Sequence, residues 1–303
     1  MACVFLLAVA ACGCSMQQTT VVKPGSVPAP AQNASKEELI SAFNMQADAY
    51  QSLNAGMTMT LTAGSAYSGV IKQYHEVNGF ILAQRPLSIR VIGQLPVVGT
   101  NIFDMVSDGK TFSIFIPSQN KFITGPADLE RQSSKPIENL RPQHLIDALF
   151  WRAIGKTEPV LIEEAAEGVR QYYVLTVVRA GSAGATAESV SGSNEWRIDR
   201  KIWFDRADLQ VSRLTTYDPG GKIASDIRYS AWNEAASPKY PAQIELARPG
   251  NDYDLKIGIT KVTFNEPVTA DRFVLPQPPS AELVRVGDDS ATAAPSSSKG
   301  TPK

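Results

Sequence analysis

Residues 57–62 read Met57-Thr58-Met59-Thr60-Leu61-Thr62, an apolar side chain alternating with a hydroxyl at every step. A period of two places the apolar residues on one face of an extended chain and the threonines on the other, the pattern of a strand with one buried face. Outward from this stretch, turn signals recur at hairpin spacing. Asn78-Gly79 lies between Tyr74-His75-Glu76-Val77 and Phe80-Ile81-Leu82, and Asp108-Gly109 lies between Phe103-Asp104-Met105-Val106 and Thr111-Phe112-Ser113-Ile114-Phe115-Ile116. Both dipeptides supply the positive φ that type I′ turns require, so each is read as the turn of a hairpin. Asp218-Pro219-Gly220-Gly221 does the same between residues 211–217 and 222–229.

Further strands are expected over residues 87–95, 170–178, 195–205, 240–247 and 253–264. Ser35 followed by Lys36-Glu37-Glu38 is a capping-box pattern, and Leu39, Ile40, Phe43, Ala47 and Tyr50 recur at helical spacing. A second helix is expected over residues 142–154, where Leu145, Ile146 and Leu149 share a face and Pro142 suits a first turn. Residues 180–194 read as a mobile loop, and Glu163, Glu164 and Glu167 as a solvated turn or helix surface. The fold class is therefore mainly β: about ten to twelve strands with one or two helices and no βαβ alternation make an antiparallel sheet. A sheet that long must curl, split or close to bury its inner face.

The 303 residues carry 29 Lys plus Arg against 30 Asp plus Glu, so the chain lacks the positive charge that dominates nucleic-acid binding. Only two histidines occur, His75 and His144, and the three cysteines, Cys3, Cys12 and Cys14, all lie in the first fourteen residues. The body thus has almost no raw material for a His/Cys metal site or a Cys/His or Ser/His catalytic pair, and no metal, cofactor or catalytic residue is expected. Asp252 and Asp254 share a strand face, but no further oxygen ligand accompanies them.

Residues 4–11 form an apolar run too short to span a bilayer, which takes about 20 such residues, and read as the core of a signal peptide, although no Lys or Arg precedes them. The run ends in Val9-Ala10-Ala11-Cys12, which resembles the bacterial lipobox; the resemblance implies acylation of Cys12, with Cys14 as the alternative. Gly13, rather than an aspartate, follows Cys12, which by the same resemblance implies the outer membrane with the body facing the periplasm. Residues 12–35 read as a lipidated flexible tether, 36–280 as the folded domain, and 281–303, rich in Ser, Pro and Ala, as a disordered tail.

Three blocks in the body together resemble the LolA/LolB family of periplasmic lipoprotein carriers and receptors and the wider group of outer-membrane lipoprotein-sorting proteins. They are Asn78-Gly79-Phe80-Ile81-Leu82-Ala83-Gln84-Arg85-Pro86-Leu87-Ser88-Ile89-Arg90, residues 108–125 from Asp108-Gly109 to Gly125, and Ile202-Trp203-Phe204-Asp205 running through Leu209 to Tyr217-Asp218-Pro219-Gly220-Gly221. The resemblance implies an incomplete, half β-barrel: one strongly curved antiparallel sheet capped by one or two helices. Its concave apolar face would hold acyl chains of lipoproteins or lipids, in a non-enzymatic monomer. Arg85 matches the family arginine that helps close the empty cavity. Gly93 to Gly99, bearing Leu95, Val97 and Val98, matches the protruding loop with which the receptor branch enters the membrane. From the residues themselves, Met57, Met59 and Leu61, with Ile89 and Val91 and with Ile114 and Ile116, would form an adaptable apolar wall. The wall is equally compatible with plain core, and an envelope sensor or assembly scaffold of the same fold, binding a protein partner, is the alternative reading.

Overall fold

The computed structural model describes residues 29–64, 72–73, 75–127, 141–180, 196–233 and 235–286. The signal segment, Cys12, Cys14, nearly all of the expected 180–194 loop and the tail from 287 lie outside the described residues. Helix α1 (Lys36–Ala49) opens the body, followed by β1 (Ser52–Ala63), β2 (Lys72–Gln73), β3 (Val77–Gln84), β4 (Ser88–Gln94), β5 (Asn101–Ser107), β6 (Thr111–Ile116) and β7 (Lys121–Pro126). Helix α2 (Pro142–Leu149) then precedes β8 (Val160–Glu167), β9 (Arg170–Ala180), β10 (Trp196–Asp205), β11 (Val211–Tyr217), β12 (Ile223–Asn233), β13 (Tyr240–Arg248), β14 (Tyr253–Phe264) and β15 (Glu282–Arg285).

All strands belong to one sheet, ordered β15-β7-β6-β5-β4-β3-β1-β14-β13-β12-β11-β10-β9-β8, with β2 paired to β1 at the side. Every described ladder is antiparallel except β15 on β7. The end strands β15 and β8 do not pair with each other, so the sheet curls without closing. One apolar cluster gathers the inner face of the sheet and the buried side of both helices, including Leu39 and Phe43 of α1, Met57 of β1, Leu145 of α2, Ile202 of β10 and Leu255 of β14. The mainly β, half-barrel class is thus the observed one.

The opening alternation holds: Met57, Met59 and Leu61 are buried while the threonines between them are partly exposed. The capping box of α1 also forms, with Ser35 Oγ accepting from the Glu38 N–H and the Glu38 carboxylate accepting from the Ser35 N–H. Ile202 and Phe204 turn into the core, and Trp203 faces the other side, where Tyr172 meets it edge-on and the Arg213 guanidinium lies 5.2 Å from its ring centre.

Other expectations are corrected. Asn78-Gly79 is not a turn: it sits inside β3, where Gly79 pairs with Met57 on one side and Gly93 on the other. Gly79 is required by a close approach, since a Cβ there would meet the Ile92 carbonyl oxygen at 1.9 Å. Asp108-Gly109 does turn the chain, but only Gly109 has positive φ (86°), so the connection is a three-residue loop in which Asp108 Oδ1 accepts from the Lys110 and Thr111 amides. The second helix ends at Leu149, and the chain continues extended so that Phe150, Trp151 and Ile154 can enter the core.

Glu163, Glu164 and Glu167 lie on edge strand β8, paired with Lys201, Arg206 and Arg213. Charges of this kind blunt a sheet edge against unwanted pairing. Gln32 and Asn33 are held by Arg206, and residues Glu282–Arg285 form β15. Residues 265–281 bridge β14 to β15 past six intervening strands, fastened by Ser52 Oγ donating to the Glu266 carbonyl and Asn120 Nδ2 to the Ser280 carbonyl.

Replacing Gly79 by alanine should destabilise the protein by about 2 kcal/mol or more, because the obstacle is backbone of a paired strand. Gly221→Ala, in an open turn at φ 78°, should cost only about 1 kcal/mol. Urea unfolding of the two variants checks the order.

Candidate functional site: an apolar cavity at one end of the half-barrel

The helices fill the hollow from the end where β1 begins. Phe43 of α1 stacks on Trp151 with ring centres 5.2 Å apart, Trp151 Nε1 donates to the Tyr229 hydroxyl at 2.8 Å, and that hydroxyl donates to the Ala148 carbonyl at 3.0 Å. Asn44 grips Ile154 from both sides, Nδ2 donating to its carbonyl at 2.9 Å and Oδ1 accepting from its N–H at 2.7 Å. Arg85 completes the clamp. Its Nε donates to the Tyr50 carbonyl and its Nη2 to the carbonyls of Ala47 and Trp151, with the guanidinium 5.1 Å from the Phe150 ring centre. Two of those carbonyls belong to the end of α1, where donors are otherwise lacking.

Beyond these helices the described residues enclose a cavity. A cavity of about 570 Å³ is lined by Met59 and Leu61 of β1, Val77 of β3, Phe103 and Met105 of β5, Ile114 and Ile116 of β6, and Ile123 of β7. It opens beside Leu95 and Pro96 of the β4–β5 loop, with exposed His75 and Glu76 at the rim. Of the residues expected in the wall, Met59, Leu61, Ile114 and Ile116 are brought together here, whereas Met57, Ile89 and Val91 lie in the packed core and Arg85 in the helix clamp. Phe103, Met105, Val77 and Ile123 complete the lining without having been singled out by sequence, although the alternation that placed β5 also put Phe103 and Met105 on one face.

The loop residues Leu95, Val97 and Val98 are exposed, Val97 completely (103%). The Val98 N–H donates to the Pro96 carbonyl at 2.9 Å across Val97, whose φ is 75°. This is a γ-turn of the rare, strained kind, and a β-branched residue at positive φ is disfavoured by about 1–2 kcal/mol.

A polar cluster lies on the inner side of α2. His144 Nδ1 and the Tyr253 hydroxyl are 2.6 Å apart, and Arg248 donates to Asn251 Oδ1 and Ser225 Oγ. Burial, then the nearby positive charges of Arg248 and Arg141, hold His144 well below the usual imidazole range. Burial also pushes the Tyr253 hydroxyl up. Asp147 reaches water but is hemmed in by protein, which raises its carboxyl despite the opposing influence of Arg248. Asp254 is likewise raised, by burial and then by Asp252. Among the described residues no group of three or more His, Cys, Asp or Glu is placed to hold a metal ion, and no helix is long and apolar enough to cross a membrane.

Chain and geometry define an open, curled antiparallel sheet with helices in part of its hollow. No family model and no curated protein matches the chain. Its solved structural neighbours include a DUF1329 family protein from Desulfovibrio piger (10% identity, TM-score 0.48, covering 78% of this chain and 94% of that one). They also include a LolA superfamily protein from Nitrosomonas europaea (12%, 0.45, 78% and 97%) and a domain from Vibrio parahaemolyticus described as an outer membrane lipoprotein-sorting protein (11%, 0.45, 78% and 94%). Likenesses at this level carry nothing about the site or its chemistry.

The depressed His144 has a pH signature. Above about pH 6.5 the imidazole is neutral folded and unfolded alike; below it the unfolded chain takes up a proton that the native site resists, so stability falls. Asp147, being raised, acts oppositely, adding stability as pH falls, so the part of the slope that belongs to His144 is isolated by substitution at His144. Denaturant unfolding should lose up to about 1.4 kcal/mol per pH unit below about pH 6.5, the slope of one proton. His144→Gln should flatten that slope.

Proposed function

We propose that this protein is a lipid-anchored, periplasm-facing carrier or receptor at the outer membrane that takes acyl chains of lipoproteins or lipids into the half-barrel cavity and passes them to the membrane. The observation that carries the reading is the 570 Å³ apolar cavity opening beside an exposed apolar loop. Burying a methylene is worth about 0.8 kcal/mol, so an acyl chain of about sixteen carbons favours such a wall over water by roughly 13 kcal/mol. The membrane interior offers a similar gain, and movement between the two needs no nucleotide, metal or covalent step.

The loop supports the direction of transfer. Val97 bears backbone strain at a position where glycine or asparagine would relieve it, and its side chain touches water instead of core. A side chain kept at such a cost is explained by a second environment, the acyl region of a bilayer, in which Leu95, Val97 and Val98 are buried. Acylation at Cys12, or Cys14, would keep this loop close to its target, since two acyl chains anchor stably where one does not.

The reading is tested by purifying the protein from membranes and analysing denatured samples by mass spectrometry. Acyl chains should co-purify, and the delipidated protein should take up cis-parinaric acid; failure of both refutes a carrier role. Val97→Glu should leave the melting temperature unchanged and abolish delivery of a bound fluorescent acyl probe to vesicles. Val97→Gly should raise stability by about 1 kcal/mol and still weaken delivery. Full delivery by both variants would remove the loop from the mechanism.

A further inference from the structure

We propose that the body meets the bilayer with the rim of the sheet that carries Leu95, Val97, Val98 and Trp196, and that the chain between Cys12 and Gln32 spans the height of the sheet to allow it. This rests on the carrier reading and specifies how the anchored molecule reaches its membrane. Strand direction places the two rims. β4 ends at Gln94 beside Asn101, and the apolar loop projects from that rim. From β4 the sheet runs β4-β3-β1-β14-β13-β12-β11-β10 with every step antiparallel, so β10 begins at the loop rim and ends at the opposite one. Trp196, the first residue of β10, is therefore at the loop rim, and it is 58% exposed. An exposed tryptophan suits the boundary between water and acyl chains, where its ring is apolar and its N–H stays hydrated.

The amino-terminal segment joins the body at the other rim. Arg206, just past the end of β10, grips it there: its carbonyl accepts from the Gln32 N–H at 2.7 Å, its Nε donates to the Gln32 carbonyl at 3.1 Å, and its Nη2 donates to Asn33 Oδ1 at 2.8 Å. That rim is unsuited to an acyl layer, because Arg170 pairs with Asp205 on it and Arg206 with Glu164. Lowering the loop rim onto a bilayer thus lifts Gln32 away from the surface by the height of the sheet. The twelve residues of β1 measure about 40 Å at about 3.3 Å each, and the tilt of strands in a curled sheet brings the rim-to-rim height to about 30 Å. The twenty residues from Cys12 through Ala31, or eighteen from Cys14, reach at most about 60–70 Å, which covers that height with slack. A segment shorter than about nine residues would not cover it. The length of this segment, and not its sequence, then decides whether an anchored molecule can deliver.

The test uses the acylated full chain in vesicles of phosphatidylethanolamine and phosphatidylglycerol containing brominated lipid, which quenches tryptophan at close range. Wild-type fluorescence should be quenched, and Trp196→Phe should remove most of that quenching. Deleting residues 16–28 leaves at most seven residues and about 25 Å of reach. This variant should keep its melting temperature and its uptake of cis-parinaric acid, lose the quenching, and deliver the probe about tenfold more slowly or worse. A glycine/serine segment of the same length in place of residues 16–28 should restore both. Equal quenching in wild type and Trp196→Phe, wild-type delivery by the shortened chain, or failure of the glycine/serine segment to restore delivery would each overturn this inference and leave the carrier reading intact. Quenching that depends on Trp196 in a protein that takes up no acyl probe would sustain the docked rim and overturn the carrier reading. A mature chain without acyl groups on Cys12 or Cys14 would overturn both.

Discussion

A sheet that curls without closing has an apolar inner face that it cannot cover by itself. Everything else in this molecule follows from how that face is covered. Among the described residues two short helices, α1 and α2, cover part of it. Leu39 and Phe43 of one and Leu145 and Ile146 of the other join Met57, Ile89 and Val91 of the sheet in one apolar cluster. Because the sheet edges β15 and β8 do not meet, the helices are held by specific polar contacts rather than by enclosure. Arg85, Asn44 and the Trp151–Tyr229–Ala148 chain bind α1, the segment after α2 and the sheet to one another. Arg85 therefore acts as a structural tie at the filled end, far along β3 from the cavity mouth near Val77.

The vacant end is governed by magnitude. A sealed, dry void costs about 24 cal/mol per Å³, so one of 570 Å³ would cost roughly 14 kcal/mol, as much as the whole stability of an ordinary domain. The fold avoids that by leaving the hollow open at Leu95, His75 and Glu76, so that water or a ligand occupies it. Water against Met59, Phe103, Ile114 and Ile116 is a poor occupant, and the difference between water and an apolar ligand is the affinity that the site has to offer.

How much of this could be read from residues depends on whether the signal is local. Met57 to Thr62 announced its face because alternation is a property of a single strand, and the Ser35–Glu38 cap because its partners are three residues apart. Asn78-Gly79 misled because glycine answers two needs, positive φ and close approach. The second is set by Ile92 on a neighbouring strand, which no local pattern contains. Strand β8 was hidden by three glutamates whose cations lie on β10, the turn after it and β11. The cavity was only half legible for a related reason: Met57 and Met59 look alike in sequence and are both buried, and only the three-dimensional arrangement decides that Met59 and not Met57 lines the cavity.

Two unfavourable features, uncovered apolar wall and a strained, exposed valine, occur at the same end of the half-barrel. Either alone is an ordinary imperfection, since surfaces carry single apolar residues and folds carry small cavities. Their juxtaposition through Leu95, which belongs to the loop and lines the cavity, is what gives them a joint meaning. An apolar phase that receives Val97 and Val98 also brings Leu95 to its surface, and with it the mouth of the cavity. The step that relieves the exposure of the loop is then the step that joins the two apolar compartments. On the proposed carrier reading, a ligand would pass between them without its chain crossing a full layer of water, which is where the barrier to such transfer lies.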